Sequence, residues 1–226
     1  MHRTGELYGQ YKDLGQQREA ASLGMWVFLI TEVMFFGGLF LVYTINRSLY
    51  PAAFAASSRE LDASLGGINT AVLILSSLTM ALAVWASQTG KRKQLIAFLI
   101  ATLVLGSVFL GIKTVEYSAK FHHHLIPGPS FEFPAEKITP ELARQDSNLS
   151  VHAQLFFSLY FGMTGLHALH MMVGAGLLLF LLRQAVRGRY TPQYNSPVEI
   201  CGLYWHFVDI VWIYLFPLLY LIDRHK

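Results

Sequence analysis

The side chains in this sequence with the means to bind a metal, hold a haem or move a proton are a few carboxylates and histidines set inside apolar runs: Glu32, His167, His170, Glu199, His206 and Asp209. A charge in the middle of a lipid-embedded helix costs roughly 2.5–3.5 kcal/mol on insertion scales, so such groups face protein, water or a ligand. Glu32 lies about 12 Å into its run by helical rise. Its neighbours on the helix surface, Phe28, Leu29, Phe35 and Phe36, are apolar. Its partner must therefore come from another helix, a water or a lipid headgroup, or the carboxyl stays neutral through desolvation.

Spacing groups the others. Glu199, Gly202, His206, Asp209 and Ile213 follow alternating steps of three and four, which puts them on one helix face. His206 and Asp209 are close enough there to interact directly. Met163, His167, His170 and Gly174 form a similar stripe on the preceding run. His170 and Asp209 lie at comparable depths, so the sequence predicts a buried polar seam of His167, His170, Glu199, His206 and Asp209 between the fourth and fifth helices.

Metal or haem chemistry is the sharper alternative. Two histidines three apart chelate one small ion but do not grip two haems on opposite leaflets. No Glu-x-x-His pair of the di-iron type occurs in the apolar runs, and zinc wants three or four convergent ligands. Cys201 falls off both stripes at the expected depth. Hydrogen-bonded polar residues that fix helix register account for the stripes more simply. His122-His123-His124 sits at a membrane edge with its side chains pointing in different directions, a poor metal tract. Small residues four apart, Ser158 with Gly162 and Ser107 with Gly111, speak for close helix packing. The sequence thus predicts no catalytic, cofactor-binding or metal-binding residue in this chain.

The elements that carry these residues follow from composition. Of 226 residues, 54% are hydrophobic and 14% charged, against about a quarter charged in a soluble domain. The apolar residues collect in five blocks, at about 24–43, 66–86, 94–112, 153–182 and 198–222. A hydrocarbon core of about 30 Å needs about 20 residues of helix, and blocks of this length are too long for barrel strands. The expected fold is all-α: one polytopic membrane domain of five transmembrane helices, with an extramembrane loop at about 113–152. In that loop Pro127-Gly128-Pro129 breaks any helix, and Thr139-Pro140 reads as a helix start. The loops holding Lys91-Arg92-Lys93 and Arg183, Arg187 and Arg189 lack acids, whereas the third loop carries Glu116, Glu132, Glu136, Glu141 and Asp146. Basic loops stay cytoplasmic, which puts the N-terminus there and the C-terminus opposite. A polar stretch precedes the first block, which is too long for a signal-peptide core, so no cleavable leader is expected. A lone cysteine forms no intramolecular disulfide.

Specific strings then carry a resemblance. Tyr204-Trp205-His206-Phe207-Val208-Asp209-Ile210-Val211-Trp212 resembles the hallmark of cytochrome c oxidase subunit III. Thr164-Gly165-Leu166-His167-Ala168-Leu169-His170 with Gly174 resembles the Gly-x-His-x-x-His segment of that family. Thr31-Glu32-Val33-Met34-Phe35-Phe36 resembles the segment carrying its buried, carbodiimide-reactive glutamate. Glu116-Tyr117 resembles its Glu-Tyr pair, and Glu199 stands where the family has a glutamate. The five-helix layout matches the short form of the family.

The resemblance implies a V-shaped, phospholipid-filled cleft and no redox centre in this chain. Haem and copper would sit in partners, the catalytic subunit I and other oxidase subunits, within a bacterial inner membrane and in some cases a respiratory supercomplex. It implies a subunit that steadies proton uptake and protects against turnover inactivation, in an oxidase that reduces dioxygen to water with cytochrome c as donor. Glu32 becomes the cleft glutamate, and Arg183-Gln184 resembles a basic pair that meets a lipid phosphate; as a plain positive-inside anchor, Arg183 has an equally good reading. Two departures stand out. Lys113 replaces a glutamine common in the family, and Gln193-Tyr194-Asn195-Ser196-Pro197 replaces histidines that precede Glu199. Within the family, a quinol oxidase subunit or a nitric oxide reductase accessory protein are the rivals. Outside it stand a small proton channel or transporter using Glu32, His206 and Asp209, and a haem-bearing anchor. Nucleotide loops and nucleophile–base pairs are absent from the sequence, and no nucleic acid partner is expected.

Overall fold

A computed structural model describes residues 11–122, 124–129, 131–134 and 138–221. Glu136, His123 and Ile222, the predicted end of the last span, lie outside the described residues. The architecture is all-helical, in the order α1 Leu14–Leu49, α2 Pro51–Ser58, α3 Ala63–Gln88, α4 Arg92–His122, α5 Pro140–Gln145, α6 Leu149–Val186 and α7 Ser196–Tyr220. Five of these, α1, α3, α4, α6 and α7, are long and apolar enough to cross a membrane. The first four contain a predicted block each and α7 covers the fifth as far as Tyr220, and the protein is a multi-pass membrane protein.

The helices outrun the apolar blocks that betray them. α1 begins at Leu14 and ends at Leu49, well outside 24–43, and α6 covers more than 153–182. Part of the stretch expected outside the membrane, at about 113–152, is helical: α4 continues from Lys113 through His122, and α6 has already begun at Leu149. Hydrophobicity tracks the hydrocarbon zone, whereas the backbone of a helix goes on satisfying itself beyond it. The Thr139-Pro140 signal does start a helix. Thr139 Oγ1 accepts from the Leu142 amide at 3.3 Å, with proline in the first turn of α5.

Contacts divide the chain into two compact units, each drawing on all five long helices. Unit 1 comprises Met1–Met34, Val72–Val108 and His170–Ile210. Trp205 of α7 is its anchor. The indole is fully buried and donates from Nε1 to Ser76 Oγ of α3 at 3.1 Å. A Cβ on Gly106 of α4 or on Gly174 of α6 would stand 2.9 Å from its ring carbons. Both glycines are therefore the space the indole occupies. In the same unit, Arg92 at the start of α4 donates to the carbonyl oxygens of Ala185, at 3.0 Å, and Val186. The Ala185 carbonyl also accepts from the Gly188 amide at 3.0 Å, and Val186 is the last residue of α6. Arg92→Ala should remove the guanidinium donor from both and cost about 1 kcal/mol, read as faster proteolytic cutting in the 186–195 loop of the purified protein; an unchanged cutting rate would show that the cap carries no weight.

Unit 2 comprises Phe35–Ala71, Phe109–Leu169 and Val211–Lys226. An edge-to-face cluster of Tyr43, Phe54 and Phe156, with ring centroids 5.4–6.1 Å apart, packs α1, α2 and α6. The Tyr50 and His152 rings stack at 3.6 Å, and His152 Nδ1 meets Asp146 Oδ2 at 2.7 Å. That contact ties the connection before α6 back to its own first turns.

Candidate functional site

Glu32 finds its partner on another helix. The His170 Nε2 of α6 lies 3.2 Å from Glu32 Oε2 of α1, with both side chains under a fifth exposed. Both residues belong to unit 1. Tyr204 of α7 donates its hydroxyl to the His170 backbone carbonyl at 3.0 Å, and its ring lies 6.0 Å from that of Phe28, one turn before Glu32. Three helices thus converge on a carboxylate–imidazole pair.

The remaining polar residues are distributed differently from a seam joining α6 to α7. His206 Nδ1 lies 2.7 Å from Ser77 Oγ, and Glu199 Oε1 accepts from Gln88 Nε2 at 2.6 Å. Both partners are on α3. Asp209 is 2% exposed, with both carboxylate oxygens buried and outside hydrogen-bond geometry. Of this pair, His206 is the residue that meets the Ser77 hydroxyl of α3. Glu199 stands in the first turn of α7, where a negative charge suits the helix dipole. Of the two histidines in the α6 stripe, His167 is the one whose ring meets a ring of α7. It is buried in unit 2 between the rings of Phe109, at 5.4 Å, and Trp212, at 5.3 Å. Periodicity puts residues on a common face correctly; it does not say which neighbour that face meets.

A cavity of about 390 Å³ opens in unit 1, lined by Arg18, Met25, Phe180, Tyr194, Cys201 and Tyr204 among others. Its walls are apolar, and Arg18, whose guanidinium donates to the Gln193 carbonyl, is the cation at its rim. Tyr204 connects this cavity to the Glu32–His170 pair. Arg183 is exposed in the last turn of α6, two residues beyond Leu181 of the cavity wall. Outside the spans, burial raises the Tyr190 phenol above its ordinary range, as does Tyr194, whose ring stacks on it at 6.4 Å.

Unit 2 holds a cluster that the sequence reading missed. Lys113 and Glu116, predicted as loop residues, are 3% and 4% exposed. Lys113 Nζ donates to Glu116 Oε2 at 2.8 Å, to Tyr220 Oη at 2.8 Å and to Tyr160 Oη at 3.3 Å. Glu116 Oε1 accepts from Tyr220 Oη at 2.5 Å and from Tyr160 Oη at 2.8 Å. A lysine three residues before a glutamate at the end of an apolar run was the available signal, since that spacing pairs the two on a continuing helix. Among the described residues, no three His, Cys, Asp or Glu side chains come together as a metal site would require.

Five membrane-length apolar helices with interior ionisable groups paired across helices define the class, a polytopic helical membrane protein. The family model described as cytochrome c oxidase subunit III matches residues 4–124 and 140–223, and the chain belongs to that family. It is 30% identical to the cytochrome bo(3) ubiquinol oxidase subunit 3 of Pseudomonas aeruginosa, over 97% of this chain and 92% of that protein. It is 33% identical to the cytochrome c oxidase subunit 3 of a Synechocystis species, over 98% and 82%. With the quinol oxidase subunit 3 of Bacillus spizizenii it shares 31% identity, over 88% and 85%. The chain is therefore a subunit III of the haem-copper oxidases, a non-catalytic subunit that assembles with other oxidase subunits.

Proposed function

We propose that this subunit holds a phospholipid in the unit 1 cavity, steadies proton uptake by the catalytic subunit that carries haem and copper, and serves an oxidase fed by cytochrome c. The observation that carries the first two parts is the Glu32–His170 pair, joined through Tyr204 to an apolar cavity with Arg18 at its rim. An acyl chain suits walls such as Met25 and Phe180, and a phosphate suits Arg18 and the nearby Arg183. A carboxylate–imidazole pair linked to that cavity through Tyr204 adds groups able to exchange a proton. Replacing Glu32 with alanine is expected to leave the complex assembled but change its lipid occupancy, read by native mass spectrometry, or shorten its active lifetime during turnover. If neither changes, Glu32 has no functional part.

The acid-free basic segments, Lys91–Lys93 and Arg183 to Arg189, support a cytoplasmic N-terminus in a bacterial inner membrane. The donor is testable directly. Purified complex should turn over with reduced cytochrome c; oxidation of a quinol alone would replace that part of the reading with a quinol oxidase. Native mass spectrometry of the same preparation would also reveal any larger respiratory assembly.

A further inference from the structure

We infer that Glu116, Tyr160 and Tyr220, with the rings of Tyr117 and Trp212, form a binding site for a primary ammonium in unit 2, and that this chain fills it with its own Lys113. Each of the three ammonium protons has an acceptor: Glu116 Oε2 and Tyr220 Oη, both at 2.8 Å, and Tyr160 Oη at 3.3 Å. Four aromatic rings surround the same nitrogen, Trp212 at 4.9 Å, Tyr160 at 5.3 Å, Tyr220 at 5.4 Å and Tyr117 at 5.6 Å from Nζ to centroid. All lie within the roughly 6 Å over which a cation is drawn to a ring. The acceptors are in turn braced. Glu116 Oε1 takes both tyrosine hydroxyl protons, and the Tyr117 hydroxyl is engaged with Thr164 Oγ1 at 2.6 Å.

The geometry also states what the site selects. Three acceptors around one nitrogen recognise a group with three N–H bonds, so a primary ammonium fits and a quaternary one, which has none, does not. The carboxylate supplies the opposite charge that a buried cation requires. Because the ligand is tethered to α4, binding it clamps Tyr160 of α6 and Tyr220, the last residue of α7, to that helix. The site thus works as an internal lock on the end of α7 inside unit 2.

Cutting Lys113 back to alanine removes the atoms of n-propylammonium, which supplies the test. The oxidase complex carrying Lys113→Ala is purified with either n-propylammonium or tetramethylammonium at equal ionic strength throughout, and its thermal midpoint is compared with wild type. The expected result is a fall on the order of 5 °C, recovered by at least half in propylammonium, saturably, and not in tetramethylammonium. Lys113→Met and Glu116→Gln give a second measurement that does not need an amine to enter, and it stands alone should the alanine variant fail to assemble. Their double variant should fall by clearly less than the sum of the two single falls, as it does when each partner is costly only while the other remains. Additive falls, or propylammonium no better than tetramethylammonium on an assembled alanine variant, overturn the inference.

Discussion

Gly174→Leu should leave almost no subunit III in the purified oxidase complex. A Cβ at this position would stand 2.9 and 3.0 Å from two ring carbons of Trp205 and 3.2 Å from Tyr204 Cε1. Real Cβ atoms do not approach that closely, so something must move. Trp205 has nowhere to go. Its ring is fully buried, it fills the space that a Cβ on Gly106 of α4 would otherwise take, and its Nε1–H is held by Ser76. Shifting the indole would break the Ser76 bond and push Tyr204 from the His170 carbonyl, thus disturbing the Glu32–His170 pair. Inserting extra methylenes into a well-packed core costs about 1–3 kcal/mol, occasionally more, and leucine at a site flanked by rigid rings belongs at the upper end. That is a large share of the roughly 5–15 kcal/mol that holds a domain together. Gly174→Ala should give an intermediate loss, partly restored when Trp205→Phe relieves the crowding. The ratio of subunit III to catalytic subunit in the purified complex measures all three variants. Normal amounts of the leucine variant would mean that the slot is not tight.

The five spans were legible because water and hydrocarbon sort residues over about 20 positions at a time, a scale on which the apolar blocks are unambiguous. Their ends were not. The helix through Lys113, Glu116 and Tyr117 continues to His122 because its charges are met by Tyr160 and Tyr220, which lie far away in sequence. No local rule announces partners contributed by another helix. The same limit governs the sites. That Glu32 needs a partner from elsewhere follows from its apolar surroundings; that the partner is His170 follows only from how α1 and α6 pack. His206 and Asp209 share a face as their spacing requires, yet the face meets Ser77 of α3 rather than the histidines of α6. Ser77 carries no signal in the sequence, being one of many small polar residues in an apolar run. Spacing within a helix is a covalent property. Pairing between helices is a tertiary one, and it is settled by shape, as the two glycines facing Trp205 illustrate.

Asp209→Lys should abolish assembly, whereas Asp209→Asn should be tolerated, and the contrast separates packing from membrane insertion. On insertion scales, aspartate and lysine cost about the same at a helix centre, roughly 2.5–3.5 kcal/mol, so the exchange barely changes the cost of placing α7 in the bilayer. What changes is the pocket. Asp209 is 2% exposed and stands one turn beyond His206, whose Nδ1 lies 2.7 Å from the Ser77 hydroxyl oxygen. Asparagine keeps the size of the side chain and removes its charge. Lysine is longer, reverses the charge, and puts an ammonium where a hydroxyl and an imidazole are the groups on offer, at a cost of several kcal/mol for a buried charge without a counter-charge. The expected result is an inserted α7 in a subunit that does not join the complex: membrane fractions contain the chain, while the purified oxidase lacks it. Full assembly of the lysine variant would show that Asp209 can be spared, and would shift the weight of α7 packing onto aromatic residues such as Trp205.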